Sequence, residues 1–142
     1  MKSKTTVDRV MTPEPTTMPR DATLVEAAIA MQRNDIGDVI IIENNGTIYG
    51  LLTDRDIVVR AIAVGKNPWR TTLDEVCSKQ LMTLAPEDTI SDAISLMARR
   101  SVRRLPVVKD GFAVGIVSLG DLALAQDPKS PLGEISAATP NL

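Results

Sequence analysis

Histidine is missing from this sequence altogether. Its absence removes the usual general base near neutral pH, every Ser-His or Cys-His catalytic pair, and almost all spacings that hold zinc. Aromatic residues are nearly as scarce, with one Trp, one Tyr and one Phe, so the stacking platforms that hold single-stranded nucleic acids are lacking. There is no excess of positive charge either. Against 18 Asp and Glu stand 16 Lys and Arg, a formal net charge of −2, and no broad basic field draws the chain to nucleic acid or to an acidic membrane. The single cysteine, Cys77, excludes an internal disulfide and reads as a buried thiol in a reducing compartment. No run of about 18 apolar residues occurs, and no apolar stretch follows Met1-Lys2-Ser3-Lys4. A cytoplasmic protein is the expectation.

What is present is a duplication. Thr5-Thr6-Val7-Asp8-Arg9-Val10-Met11-Thr12 returns 66 residues later as Thr71-Thr72-Leu73-Asp74-Glu75-Val76-Cys77-Ser78. The offset of 66 holds through Asp21-Ala22-Thr23-Leu24 against Glu87-Asp88-Thr89-Ile90, then falls to 65. The residue is lost where Asn44-Asn45-Gly46 faces Asp110-Gly111, two hairpin-turn signatures. Each half reads as β-α-β-β-α. Short extended pieces, Thr16–Met18 and Met82–Leu84, precede helical patterns opening at Asp21 and Asp88. Leu24, Ala27, Ala28 and Met31, like Ile90, Ala93, Ile94 and Met97, fall at i, i+3, i+4 and i+7. Apolar runs at Val39–Ile42 and Leu105–Val108 predict strands, each paired through its turn with Ile48–Thr53 or Phe112–Ser118. Second helices are expected at Asp54–Ala63 and Gly120–Gln126.

These boundaries divide the chain into residues 5–66, residues 71–126 and a tail, 127–142, with Lys66-Asn67-Pro68-Trp69 as the linker. A unit of about 60 residues buries its own sheet poorly, so the two are expected to pack sheet to sheet. Trp69 is expected to pack against the twin unit or a dimer partner, and the tail to be partly disordered or to lie on a partner. The methionines Met11, Met18, Met31, Met82 and Met97 read as core filler.

The stretch that carries chemistry also occurs twice, as Gly50-Leu51-Leu52-Thr53-Asp54-Arg55-Asp56 and Gly115-Ile116-Val117-Ser118-Leu119-Gly120-Asp121. A strand ending in Thr or Ser and turning into a helix sets a hydroxyl beside unpaired N–H groups, where an anion is favoured. The carboxylate three residues on, acceptor-only at neutral pH, suits the vicinal hydroxyls of a sugar. That pattern points to a nucleotide. For either copy alone, Thr-x-x-Asp or Ser-x-x-Asp before an apolar helix reads first as a capping box that needs no ligand, and the duplication is what favours the functional reading.

With both halves in hand, the sequence resembles a tandem pair of CBS domains, a Bateman module. The resemblance is carried by Val10-Met11-Thr12-Pro13, Gly50–Ile57, Arg104-Leu105-Pro106-Val107-Val108 and Gly115–Leu122, and spans residues 5–126. Among family members it is similar to small stand-alone bacterial proteins, the hypoxic response protein group included. The resemblance implies an α/β (α+β) fold of two pseudo-symmetric β-α-β-β-α repeats with clefts for adenosine-containing ligands. It implies ribose binding by Asp56 and Asp121, and phosphate contacts by Thr53 and Ser118. Adenine would be lined by Thr17, Met18, Asp38 and Val39 in one site, and by Thr83, Leu84, Arg104 and Leu105 in the other.

The halves depart from one another. Gly37-Asp38 in the first stands where the second has Arg103-Arg104, so a carboxylate that repels phosphate faces guanidinium groups that pair with it. Arg55 offers compensation in the first. Unequal sites are expected. For Arg99, Arg100, Arg103 and Arg104 a solvated helix end is as good a reading as phosphate binding, and the Asp pairs 54/56 and 35/38 make at most a weak case for magnesium. The resulting expectation is a non-enzymatic sensor of AMP, ADP, ATP, NAD or S-adenosylmethionine, assembled as a homodimer, with no metal and no required cofactor. The alternative is a ligand-free dimeric scaffold for a protein partner.

Overall fold

Two 3₁₀ turns, Val7–Arg9 and Leu73–Glu75, open the repeats in the computed structural model, which describes residues 4–127, 129 and 131–138. Around them the elements run β1 (Thr12–Pro13), β2 (Thr17–Pro19), α1 (Leu24–Asn34), β3 (Asp38–Ile42), β4 (Ile48–Thr53) and α2 (Asp54–Asp56). Then follow α3 (Ile90–Arg100), β5 (Arg104–Lys109), β6 (Phe112–Ser118), α4 (Leu119–Gln126) and α5 (Pro131–Ala137). The fold is mixed α/β with two three-stranded sheets, ordered β2-β3-β4 and β1-β6-β5.

Helices α1 and α3 begin later than Asp21 and Asp88 suggest, because threonine decides the start. Thr23 Oγ1 accepts from Glu26 N and Thr89 Oγ1 from Asp92 N, and each acidic side chain accepts in return from the threonine N–H. These reciprocal caps satisfy N–H groups that the first turn leaves orphaned. The predicted faces bury Leu24, Ala27 and Met31, and Ile90, Ala93 and Met97, while Ala28 is exposed. Met11, Met18 and Met82 pack at the edges of the cores. The hairpin turns form as expected. Asp110 and Gly111, at φ 53° and 87°, take the left-handed pair that matches strand twist.

The helix expected at Asp54–Ala63 is only α-helical for one turn. It continues as a π-helix over Ile57–Ile62, where Ala63 N donates to Val58 O at 2.9 Å. In the tail, Pro131–Ala137 is helical, an element not assigned from the sequence; Pro128, Ser130 and Thr139-Pro140-Asn141-Leu142 lie outside the described residues.

Compactness does not follow the repeat boundaries. One unit joins Pro15–Leu81 with Gly111–Ala113; the other joins the described residues up to Glu14, Met82–Asp110 and those from Val114 onward. The leading segment of each repeat is the reason. Val7 N donates to Asp88 O and Ile90 N to Thr5 O, so Val7 enters the core of Leu84, Ile90, Ala93, Leu105, Val107, Val117 and Leu122. Its counterpart Leu73 donates to Ala22 O, while Leu24 N donates to Thr71 O. Leu73, Val76 and Cys77 thereby join the core of Leu24, Ala27, Val39, Ile41 and Leu52.

Candidate functional site

In the Pro15–Leu81 unit, β2 runs parallel to β3 and β4 antiparallel, pairing Thr17 with Ile40 and Asp38 with Thr53. The starts of β2 and β3 and the end of β4 therefore share one end of the sheet. Directly opposed residues project to the same face, so Asp38 and Thr53 stand side by side. Asp54 N donates to Gly37 O at 2.9 Å, tying the first residue of α2 to the strand beside it.

The capping reading of the motif is realised. Thr53 Oγ1 accepts from Asp56 N at 3.2 Å and Asp56 Oδ2 accepts from Thr53 N at 2.9 Å. In the other unit, Ser118 Oγ accepts from Asp121 N at 3.0 Å and Asp121 Oδ2 from Ser118 N at 2.9 Å. Neither box exhausts its side chains. A hydroxyl that accepts one bond keeps its proton to donate, and a carboxylate using one oxygen keeps the other. Arg60 Nε approaches Asp56 Oδ1 at 3.7 Å from one turn on, whereas among the described residues no side chain is placed against Asp121 Oδ1. Arg60 is absent from the sequence-based site, although its i, i+4 spacing from Asp56 is a readable signal.

Of the other expected residues, Thr17 and Arg55 are exposed, and Met18 and Asp38 are half-buried. Val39, 1 % exposed, belongs to the core, so it can offer a ligand its main chain but not its side chain. In the second site Leu84 and Leu105 are likewise core residues, at 3 % and 2 %. Leu84 N donates to Pro106 O and Leu84 O accepts from Val108 N, in a parallel bridge with β5. Thr83, Arg103 and Arg104 are exposed. Leu119 N donates to Arg103 O at 2.8 Å, the equivalent of the Asp54–Gly37 bond, and antiparallel register then sets Arg104 opposite Ser118. A groove of about 350 Å³ lies beside this end, lined by Ile94, Met97, Val102, Arg103 and Leu119 among others.

Trp69 lies at the surface of the chain. Its N–H is held by Asn67 Oδ1 at 2.9 Å in a tight turn, and the residue is 72 % exposed. The cluster around Arg20 went unread in the sequence. Its guanidinium meets Glu43 at 3.2 Å and Asp74 at 3.5 Å and lies 4.0 Å from the Tyr49 ring centroid. Arg99 Nε donates to Ser95 O at 3.4 Å, one turn back on its own helix. No group of three or more His, Cys, Asp or Glu among the described residues can hold a metal ion, and no helix there is long and apolar enough to cross a membrane.

Comparison with known proteins gives this geometry a context. The CBS domain pattern matches residues 7–62 and 73–127. The CBS domain-containing protein YhcV of Bacillus subtilis is 40% identical over 120 residues, 84% of each chain. Hypoxic response protein 1 of Mycobacterium tuberculosis is 33% identical over 119 residues, 84% of this chain and 83% of that one. A crystal structure of hypoxic response protein I with two coordinated zinc ions superposes with a TM-score of 0.77 at 33% identity, over 84% of this chain and 97% of that chain. The CBS domain pair of MJ0100, solved with 5-methylthioadenosine and S-adenosyl-L-methionine, matches with a TM-score of 0.76 at 25% identity, over 84% and 97%.

Proposed function

Since the chain belongs to the CBS-domain family, as a tandem pair of its repeats, we propose that it is a non-enzymatic regulatory module whose two sites bind adenosine-containing ligands. One observation carries the reading. Each capping box keeps a hydroxyl proton, on Thr53 or Ser118, and a carboxylate oxygen, Oδ1 of Asp56 or Asp121, after its own helix is capped. The hydroxyl donates to a phosphate or other 5′ group, and the carboxylate accepts from the ribose hydroxyls. Capping orients both groups and holds them ready, so the structural and the binding roles reinforce each other. The starts of β2 and β3, and the 83–84 segment with the start of β5, supply the main chain beside the base. A ligand that favours one arrangement of the module shifts its population, and a dimer of such modules passes the shift to a partner protein.

Thermal unfolding with AMP, ADP, ATP, NAD or S-adenosylmethionine tests the reading. A ligand at about 100 times its Kd stabilises by about 2.7 kcal/mol per site. Asp56→Asn and Asp121→Asn keep one oxygen for the cap while losing the charged second acceptor, and each is expected to lose the shift of its own site. No shift with any adenosyl compound refutes the proposal.

A second reading, a ligand-free dimeric scaffold, is favoured by a different observation. Val58, Val59, Ile62, Val64 and Trp69 are all exposed, by 45–72 %, on and just beyond the π-helix. Intact partner binding by both Asn variants, together with silence in the ligand panel, supports it.

A further inference from the structure

The two sites carry opposite charge beside the same hydroxyl. Thr53 is paired across the ladder with Asp38 and is followed directly by Asp54. Ser118 stands opposite Arg104, with Arg103 next to it and the neutral Leu119-Gly120 in place of Asp54-Arg55. The first site thus gathers three carboxylates, Asp38, Asp54 and Asp56, against two guanidinium groups, Arg55 and Arg60, the latter set against Asp56 at 3.7 Å. The second site has one carboxylate, Asp121, and two guanidinium groups. Side chains opposed in an antiparallel ladder have Cβ atoms about 5 Å apart, so Asp38 and Arg104 act on whatever group meets the hydroxyl beside them.

From this placement, which rests on the adenosyl reading above, we infer that the two sites sort adenosine ligands by the charge of their 5′ substituent. The site of Thr53 and Asp56 takes cationic or uncharged 5′ groups, such as sulfonium and thioether adenosines. The site of Ser118 and Asp121 takes 5′-phosphates. The module then compares two classes of compound rather than binding one ligand twice. A unit charge about 7 Å away at an effective dielectric constant of 20–40 changes affinity roughly tenfold.

Isothermal titration of the full-length chain with AMP, S-adenosylmethionine and methylthioadenosine separates the possibilities. Asp121→Asn, which leaves the first site intact, is expected to bind S-adenosylmethionine about tenfold or more tighter than AMP. Asp56→Asn is expected to show the reverse order. Adding Arg104→Asp to Asp56→Asn, or Asp38→Arg to Asp121→Asn, inverts the preference, while uncharged methylthioadenosine still binding to the Asp38→Arg protein verifies that the pocket has folded. Equal affinity for AMP and S-adenosylmethionine in the Asp121→Asn protein, or preferences that survive the charge swaps, overturns the sorting and leaves the adenosyl reading standing. Failure of all three compounds to bind the wild-type chain overturns both.

Discussion

Gly50 and Gly115 occupy the same place in the duplicated motif, three residues before Thr53 and Ser118, yet the structure gives them different neighbours. A methyl group at Gly50 falls 2.7 Å from Ser78 O and 2.8 Å from Cys77 Sγ. The first of these is main chain, and it is the carbonyl that accepts from Leu51 N at 3.0 Å while Ser78 N donates back to Leu51 O at 2.9 Å. Gly50→Ala must therefore push the 77–78 segment off β4 and strain or break that bridge. Overpacking a buried site costs about 1–3 kcal/mol, and each bridge hydrogen bond about 1 kcal/mol net. The stiffer unfolded chain returns about 0.4–1 kcal/mol. The expected loss is about 2–4 kcal/mol. At Gly115 the three atoms nearest the added methyl all belong to the Met11 side chain, Sδ, Cγ and Cε, and none of the three is main chain. Methionine has rotatable bonds with which to withdraw, so Gly115→Ala is expected to change stability by no more than about 1 kcal/mol. Urea unfolding followed by circular dichroism reads both. Cys77→Ala in the Gly50→Ala background should recover only part of the loss, because Ser78 O stays where it is. Equal losses at the two glycines, or complete rescue by Cys77→Ala, would refute this account of why the first copy needs glycine.

Burial raises the pKa of the Cys77 thiol, with Asp74 adding to the shift and Lys79 opposing it. A thiol raised in the folded state stabilises fully below its unfolded pKa and loses that contribution as pH climbs toward the folded value. Stability should accordingly fall on the alkaline side, and Cys77→Ala should flatten that limb of a pH series of urea midpoints. Trp69, the one tryptophan and 72 % exposed, should emit like indole in water in a dilute sample. If the chain pairs through the face that includes Trp69, emission shifts to the blue as concentration rises; an unchanged spectrum in a dimer seen by sedimentation places the interface elsewhere. Removing the guanidinium of Arg20, which bridges Glu43 and Asp74 across Tyr49, should lower the thermal midpoint more at low salt than at high salt, whereas a salt-independent loss would assign the effect to packing against the ring.

Much of this architecture is written in short-range signals. Strands Ile48–Thr53 and Phe112–Ser118 end where the motif places them, because Thr53 and Ser118 are helix caps that also close a strand. The Asp110-Gly111 turn follows from two residues that tolerate positive φ. The π-helix was not legible, since Ile57–Ile62 is a mostly β-branched stretch whose periodicity does not separate i→i+4 from i→i+5 bonding. Helix α5 did carry a signal, Pro131 at its first position, which the reading of the tail passed over. The destination of the leading segments was hidden for another reason. Thr5-Thr6-Val7-Asp8 and Thr71-Thr72-Leu73-Asp74 present one pattern, so periodicity alone does not say which core receives Val7 and which Leu73.

That exchange matters for the site as well as for the fold. Cys77 and Ser78, which immediately precede the second repeat's equivalent of the Pro13–Met18 approach, are the residues that lie against Gly50 and Leu51 on the strand leading to Thr53. Thr12 and Pro13 pair with Ile116 and Gly115 on the strand leading to Ser118. Each motif strand is thus braced by the segment that begins the other repeat. Each hydroxyl-carboxylate pair therefore draws on a segment from both repeats, and an isolated repeat, residues 5–66 or 71–126, would lack the brace of its own site. Charge has diverged between the sites, at Asp38 against Arg104, while the bracing and the caps have the same form in both. Under the sorting proposed above, that contrast at the ladder position beside each cap is what separates the two sites, and the charge swaps at Asp38 and Arg104 are its direct test.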